Sequence, residues 1–148
     1  MLMDELILKL KTPDQCEAFA KNAIARNRPD LADQARIRAV QLRAESWGAK
    51  SEAEKEALQA VYAYEEVLTK KNGKRTKASR TWQMIKRRGI IESVEQAVNR
   101  ESETQGYTAL AEMGLQDFAF EAVVLRYPEL FSAEAVQRSR ERMESWQT

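Results

Sequence analysis

Five glycines and three prolines are the only strong chain breakers in 148 residues, and the segments between them repeat apolar residues at helical spacing. A β-sandwich of this length needs turn residues every 8–12 positions, and this chain does not have them. The breakers sit instead where helices start and stop. Thr12-Pro13-Asp14-Gln15 combines a capping Thr, Pro at the first helical position and Gln three residues after the cap. The helix it opens is expected to run over 12–27, with Cys16, Phe19, Ala20, Ala23 and Ile24 as its apolar stripe. A short helix is expected before Thr12. Arg28-Pro29-Asp30 breaks the chain, with Asp30 placed to cap a second helix carrying Leu31, Ala35, Ala39 and Leu42 and ending at Gly48.

Ser51-Glu52-Ala53-Glu54 is a further capping box, and its helix aligns Ala57, Val61, Tyr64 and Leu68 before stopping at Asn72-Gly73. A short helix around Trp82 closes at Gly89, and Ile91, Val94 and Val98 align on the next. Residues 99–106 read as a polar loop, and Tyr107 to Met113 as a short helix closed by Gly114. The segment 115–127, with Phe118, Phe120, Val123, Val124 and Leu125, is apolar nearly all round and is the best candidate for the central buried helix, ended by Pro128. A buried strand is the rival over 118–127, but the interleaved Ala119, Glu121 and Ala122 favour helix. Ser132 caps a last helix on which Val136, Met143 and Trp146 share a side.

Composition fits this reading. With 43% hydrophobic and 32% charged residues, the chain suits amphipathic helices that each keep a wet face. Its length allows a core without disulfides or a structural metal. We therefore expect an all-α fold: a compact single-domain bundle of about six to eight short helices over 1–148, with an N-terminal helical hairpin, a basic loop at 69–79 and a polar loop at 99–106. No second copy of the hairpin recurs, so the chain is not a regular solenoid.

Several functions are excluded at the level of residue types. A single cysteine, Cys16, rules out an intrachain disulfide and a cysteine zinc site, and it reads as a small core residue. No histidine is present, which removes Ser-His-Asp and Cys-His machinery, His ligands and His general bases. Asp4 and Glu5 stand where a secretory leader needs cations, and no apolar run reaches the roughly 20 residues of a membrane span. A cytoplasmic protein with no membrane partner is expected.

Charge is segregated along the chain. Between Glu66 and Glu92 there is no acidic residue, while Lys70, Lys71, Lys74, Arg75, Lys77, Arg80, Lys86, Arg87 and Arg88 place nine cations within 19 residues. The remainder holds fifteen basic against twenty-three acidic residues, a balance of −8 hidden by the formal net charge of +1. A local field of this kind survives a near-neutral total. On the helix around Trp82, Trp82 and Ile85 fall on an anchoring side, and Arg80, Gln83, Met84, Arg87 and Arg88 on the other. Arg and Gln can grip phosphates and base edges. Ser79 or Thr76 at the helix start can present backbone N–H groups to a phosphate.

The order helix, Gly89, helix resembles a helix-turn-helix, but the second helix carries Glu92 and Glu95 and is a poor groove reader. The competing explanation is that these cations are a solvated face, or pair with the protein's own acids such as Glu52, Glu54 and Glu56.

Catalytic patterns are thin. Asp117 and Glu121, four apart, are expected to share a helix face, and Glu65-Glu66 lies beside Tyr62 and Tyr64. There is no G-x-x-x-x-G-K-[ST] loop, no G-x-S-x-G elbow, and no acidic residue followed two positions later by Lys. The expectation is a non-enzymatic accessory or regulatory protein, without cofactor or metal. It would contact nucleic acid, in the first instance DNA, through Lys70, Lys71, Lys74, Arg75, Lys77, Ser79, Arg80, Gln83, Arg87 and Arg88. The alternative is a helical adaptor or subunit whose basic segment docks an acidic protein partner or a second copy of the chain.

Overall fold

The computed structural model describes residues 3–100 and 107–147, and within them the chain is all α. In order the helices are α1 (Glu5–Leu8), α2 (Pro13–Ala25), α3 (Pro29–Trp47), α4 (Glu52–Asn72), α5 (Ser79–Arg88), α6 (Ile90–Val98), α7 (Tyr107–Glu112), α8 (Phe120–Arg126) and α9 (Ala133–Gln147). Each of these nine helices of the described residues answers to an expected segment, α1 to the short helix before Thr12 included, so the figure of six to eight was low by its own segments. Short 3-10 turns at Gln116–Phe118 and Pro128–Leu130 flank α8. No helix of the described residues is long and apolar enough to cross a membrane.

The sequence caps act as expected, with one local variation. Thr12 Oγ1 accepts from Gln15 N–H at 3.1 Å and Ser51 Oγ from Glu54 N–H at 3.1 Å. The returning arms of both boxes reach one residue further back, Gln15 to Lys11 N–H at 2.8 Å and Glu54 to Lys50 N–H at 3.2 Å. Each arm still satisfies a backbone donor at the helix entrance. Asp30 departs from expectation. It lies inside the first turn of α3, behind Pro29, and pairs with Arg28 at 3.0 Å. Arg28 holds the cap position with no side-chain cap, because its guanidinium has no acceptor to offer the first-turn N–H groups.

α2 and α3 form the expected antiparallel hairpin, the most extensive helix pair in the fold. Its interface is lined by Ala20, Ala23, Ala32 and Ala35, closed by Ile7 from α1. Cys16 is buried in α2 as expected, and burial pushes its thiol pKa up. Ile24, expected on the apolar stripe, is 54% exposed, since the alanine ridge one turn earlier makes the contact.

The centre of the molecule is α4 and not the segment 115–127 expected there, because the longer α4 packs on α3, α6, α7 and α8. At 21 residues it is about 31 Å long. Its buried positions Ala53, Ala57, Ala60 and Ala63 are small, so neighbouring helices approach closely from several directions, and alanine also favours the helix itself. The apolar segment 115–127 supplies the buried helix α8, whose Glu121, Ala122, Val123 and Val124 are all buried. It is shorter than expected. Ala119 is extended (φ −64°, ψ 147°) and separates the 3-10 turn from α8.

Ser132 caps α9 through Ala135 N–H at 3.0 Å, and it is itself held by Glu95 of α6. The buried ion pair Arg142–Glu121, at 3.0 Å, ties α9 to α8. Arg142 also donates to Val98 O at 2.9 Å and Arg100 O at 2.5 Å, satisfying carbonyls at and beyond the end of α6. Of the expected polar loop 99–106, Asn99 and Arg100 are non-helical, and 101–106 lie outside the described residues.

Candidate nucleic-acid interface

The basic segment is built from the last turn of α4, a six-residue connection (73–78) and the whole of α5. The expected loop 69–79 is therefore shorter at both ends. Residues 69–72 continue α4, and Ser79 is the first residue of α5. Gly73 ends α4 in the left-handed region (φ 72°), where a residue without Cβ carries no steric cost.

This connection is fixed by specific bonds. Thr76 N–H donates to Thr69 Oγ1 at 3.0 Å, Asn72 Nδ2 to Thr76 Oγ1 at 3.2 Å, and Thr76 Oγ1 to Lys74 O at 2.8 Å. Thr76 is thus committed internally and does not offer its N–H to a phosphate. At the far end one buried carboxylate oxygen, Glu65 Oε2, accepts from Ala78 N–H at 2.9 Å and from Trp82 Nε1 at 2.6 Å. The Trp82 ring leans on Tyr62 with centroids 5.2 Å apart. Trp82 is the anchor of α5, as its position on the wheel predicts.

Arg75 corrects the expected site. Its side chain, though still 37% exposed, is paired: it donates to Glu66 Oε1 at 3.1 Å, while its other terminal nitrogen pairs with Glu17. Arg43 bridges the same two carboxylates at 2.7 Å each. The four groups form an alternating, charge-balanced cluster joining α2, α3, α4 and the connection. Burial pushes the Glu66 carboxyl pKa up, with Arg43 pulling it back; burial also lowers that of Arg75, which remains a cation. The protein's own carboxylates therefore clasp this one member of the segment. They are Glu17 and Glu66 and not the expected Glu52, Glu54 and Glu56. Glu56 is occupied by Arg126 at 2.6 Å and by the Tyr127 hydroxyl.

The other eight cations stand differently. Lys70, Lys71, Lys74, Lys77, Arg80, Lys86, Arg87 and Arg88 are all exposed, and none forms an ion pair with a described residue. Five of them, Lys70, Lys71 and Lys86 to Arg88, lie in last helical turns, where the backbone dipole favours positive charge. On α5, at about 100° per residue, Lys86, Ser79, Gln83, Arg87 and Arg80 occupy one arc of roughly 120°, and all five are exposed. Met84 is buried, contrary to its expected place on that face, because α5 sinks deeper against the core than the Trp82–Ile85 pair alone requires. Arg88 is exposed but lies about 80° beyond Arg80, past Met84.

Ser79 begins α5 with no side chain capping it, so the first-turn donors have no cap of their own. The following helix is not available as a groove reader. α6 packs on α4, α8 and α9, and its Glu95 is spent on Ser132.

One feature was not legible in the sequence. Beside the start of α5 lies a cavity of about 540 Å³ walled by Tyr64, Phe118, Phe120 and the stacked pair Tyr107–Trp146, whose ring centroids are 4.5 Å apart. Lys77, Arg80 and Arg100 also line it. These residues come from six separate stretches of chain, so no local spacing announces them. The expected carboxylate pair does not form: Asp117 sits exposed in the 3-10 turn, and Glu121 is buried on Arg142. No protein-family model, curated protein or solved structure matches this chain.

Proposed function

We propose that this chain is an accessory protein that binds nucleic acid through its phosphate backbone, using the end of α4, the 73–78 connection and the exposed stripe of α5. The observation that carries this reading is the set of eight exposed cations without an acidic partner among the described residues, Lys74 and Lys77 on a connection whose backbone is already fixed and the other six on α4 and α5 to either side. Lys70, Lys71, Lys74 and Lys77 supply point charges. Arg80, Gln83 and Arg87, with Ser79 next to Gln83 on the wheel, supply geometry for phosphate oxygens. Arg75 is removed from the contacting set because it is consumed by Glu17 and Glu66.

Mobility-shift titrations with duplex DNA, single-stranded DNA and RNA at two salt concentrations test the proposal. With about six phosphate contacts, affinity falls roughly a thousandfold between 50 and 200 mM salt. Alanine at Lys74, Arg80 or Arg87 lowers the salt slope by about one for each contact removed. Unchanged binding in the combined Lys74, Arg80 and Arg87 alanine variant refutes it.

A second reading, docking of an acidic protein partner, is favoured by a separate groove at the other end of α5. There Trp47, 46% exposed, lies beside Trp82, Ile85 and Lys86. Light scattering and pull-downs with the Trp47→Ala variant separate it from the first, because Trp47 lies off the cationic stripe.

A further inference from the structure

We infer that the aromatic cavity at the start of α5 is a subsite for a single unstacked nucleobase, so that the strand bound along the cations is single-stranded at that point. This rests on the phosphate-binding reading above and extends it to the kind of nucleic acid.

Three properties of the cavity point to this ligand. Its volume of about 540 Å³ falls in the roughly 300–1,000 Å³ range of sites that take small organic ligands. Its walls are aromatic from several directions: Tyr64, Phe118, Phe120, and the near-parallel Tyr107–Trp146 stack with planes 13° apart. A planar base gains from such faces whatever its identity. Its cations are partly those of the proposed phosphate track, since Lys77 and Arg80 line the cavity and also belong to the basic segment, while Arg100 adds a third from the end of α6. The one acid lining it among the described residues, Glu121, is ion-paired with Arg142. A ligand with a flat aromatic part and a phosphate attached matches both halves of this lining. A purely apolar ligand leaves the cations unused, and a bare phosphate leaves the aromatic walls unused.

The cavity and the stripe also share geometry. Arg80 stands at the edge of the α5 arc and lines the cavity, so a strand whose phosphates follow the arc toward the helix start arrives with a base beside the aromatic walls. A duplex holds its bases stacked and paired, and it places one there only after extruding it.

The test compares the binding of a deoxyadenosine strand, an abasic sugar-phosphate strand of equal length, and the corresponding duplex, all at one salt concentration. The base-bearing strand is expected to bind roughly 5- to 150-fold tighter than the abasic one, with the duplex close to the abasic strand. Trp146→Ala should erase that difference while leaving the salt slope unchanged. Tyr107→Leu, which keeps apolar bulk and removes an aromatic face, gives the same answer should Trp146→Ala fail to fold. Equal affinity of wild-type protein for the base-bearing and abasic strands overturns the subsite and leaves the phosphate reading standing. Persistent base preference in a Lys74, Arg87 double alanine variant with an unchanged salt slope upholds the subsite and removes the phosphate track.

Discussion

The fate of a cation in this fold is decided by which carboxylates its backbone brings within reach. Arg75 and Lys74 are neighbours in sequence and both exposed, yet Arg75 closes on Glu17 and Glu66 while Lys74 pairs with no acid among the described residues. Their substitutions therefore separate. Arg75→Ala leaves buried Glu66 with Arg43 alone and frees the connection from α2, and should cost about 1–2 kcal/mol. Lys74→Ala should fall within about 0.5 kcal/mol of the parent. Urea denaturation at neutral pH reads both, and equal stability of the two variants contradicts the clasp. Nothing in the residue pattern distinguishes Arg75 from its neighbours, because its partners lie in α2 and in the middle of α4. Charge segregation was legible residue by residue; the partition into one structural and eight outward cations was not.

At the scale of elements, two joints carry the arrangement of the C-terminal half. The first is Glu95, which joins α6 to the cap of α9 through the Ser132 N–H at 2.9 Å and hydroxyl at 2.7 Å, and also accepts from Asn99. Burial works to raise its pKa, but these three bonds outweigh it and hold the value below the ordinary 4.5. A carboxyl with a depressed folded value stabilises the fold above its unfolded pKa and loses that contribution as pH falls through the folded one. Glu95→Gln should thus cost about 1 kcal/mol at pH 7, and the gap from the parent should close as pH drops below about 4.5. Denaturation curves across that range decide it; a gap that widens on acidification excludes this account.

The second joint is Gly114, which follows α7 with φ 73°. A Cβ there would lie 2.7–2.8 Å from the Asp33 side chain of α3. Gly114→Ala combines left-handed strain with that collision and should cost about 2 kcal/mol or more, visible as a lowered melting temperature. Gly114 was legible as a helix terminator, but its closeness to α3 was not, since that depends on how α7 is seated. The same limit applies to 115–127. Its apolar density gave the burial of α8, while the extended Ala119 that shortens the helix has no breaker in the sequence to mark it. Caps and stops at Thr12, Ser51, Gly48, Gly73 and Ser132 were legible because each is a local hydrogen-bond or φ requirement.

Across the whole molecule, the α-only architecture was readable from the scarcity of breakers and the 3.6-residue period. The central helix was harder to foresee. α4 holds that place through four alanines, which carry little hydrophobic weight in a pattern but permit the closest approach. The aromatic cavity was invisible for the same reason that Arg75's partners were: both arise where distant helices meet.

The fastening of residues 73–78 has a kinetic consequence. Holding one backbone residue in place costs about 1–2 kcal/mol of entropy, and here Arg75, Thr76 and Ala78 are held by Glu17, Glu66, Thr69 and Glu65 before any partner arrives. A ligand that engages the lysines of this span meets charges whose backbone spacing folding has already set. Capture can then proceed at a rate governed by diffusion and long-range attraction, without a pause for coil to become structure.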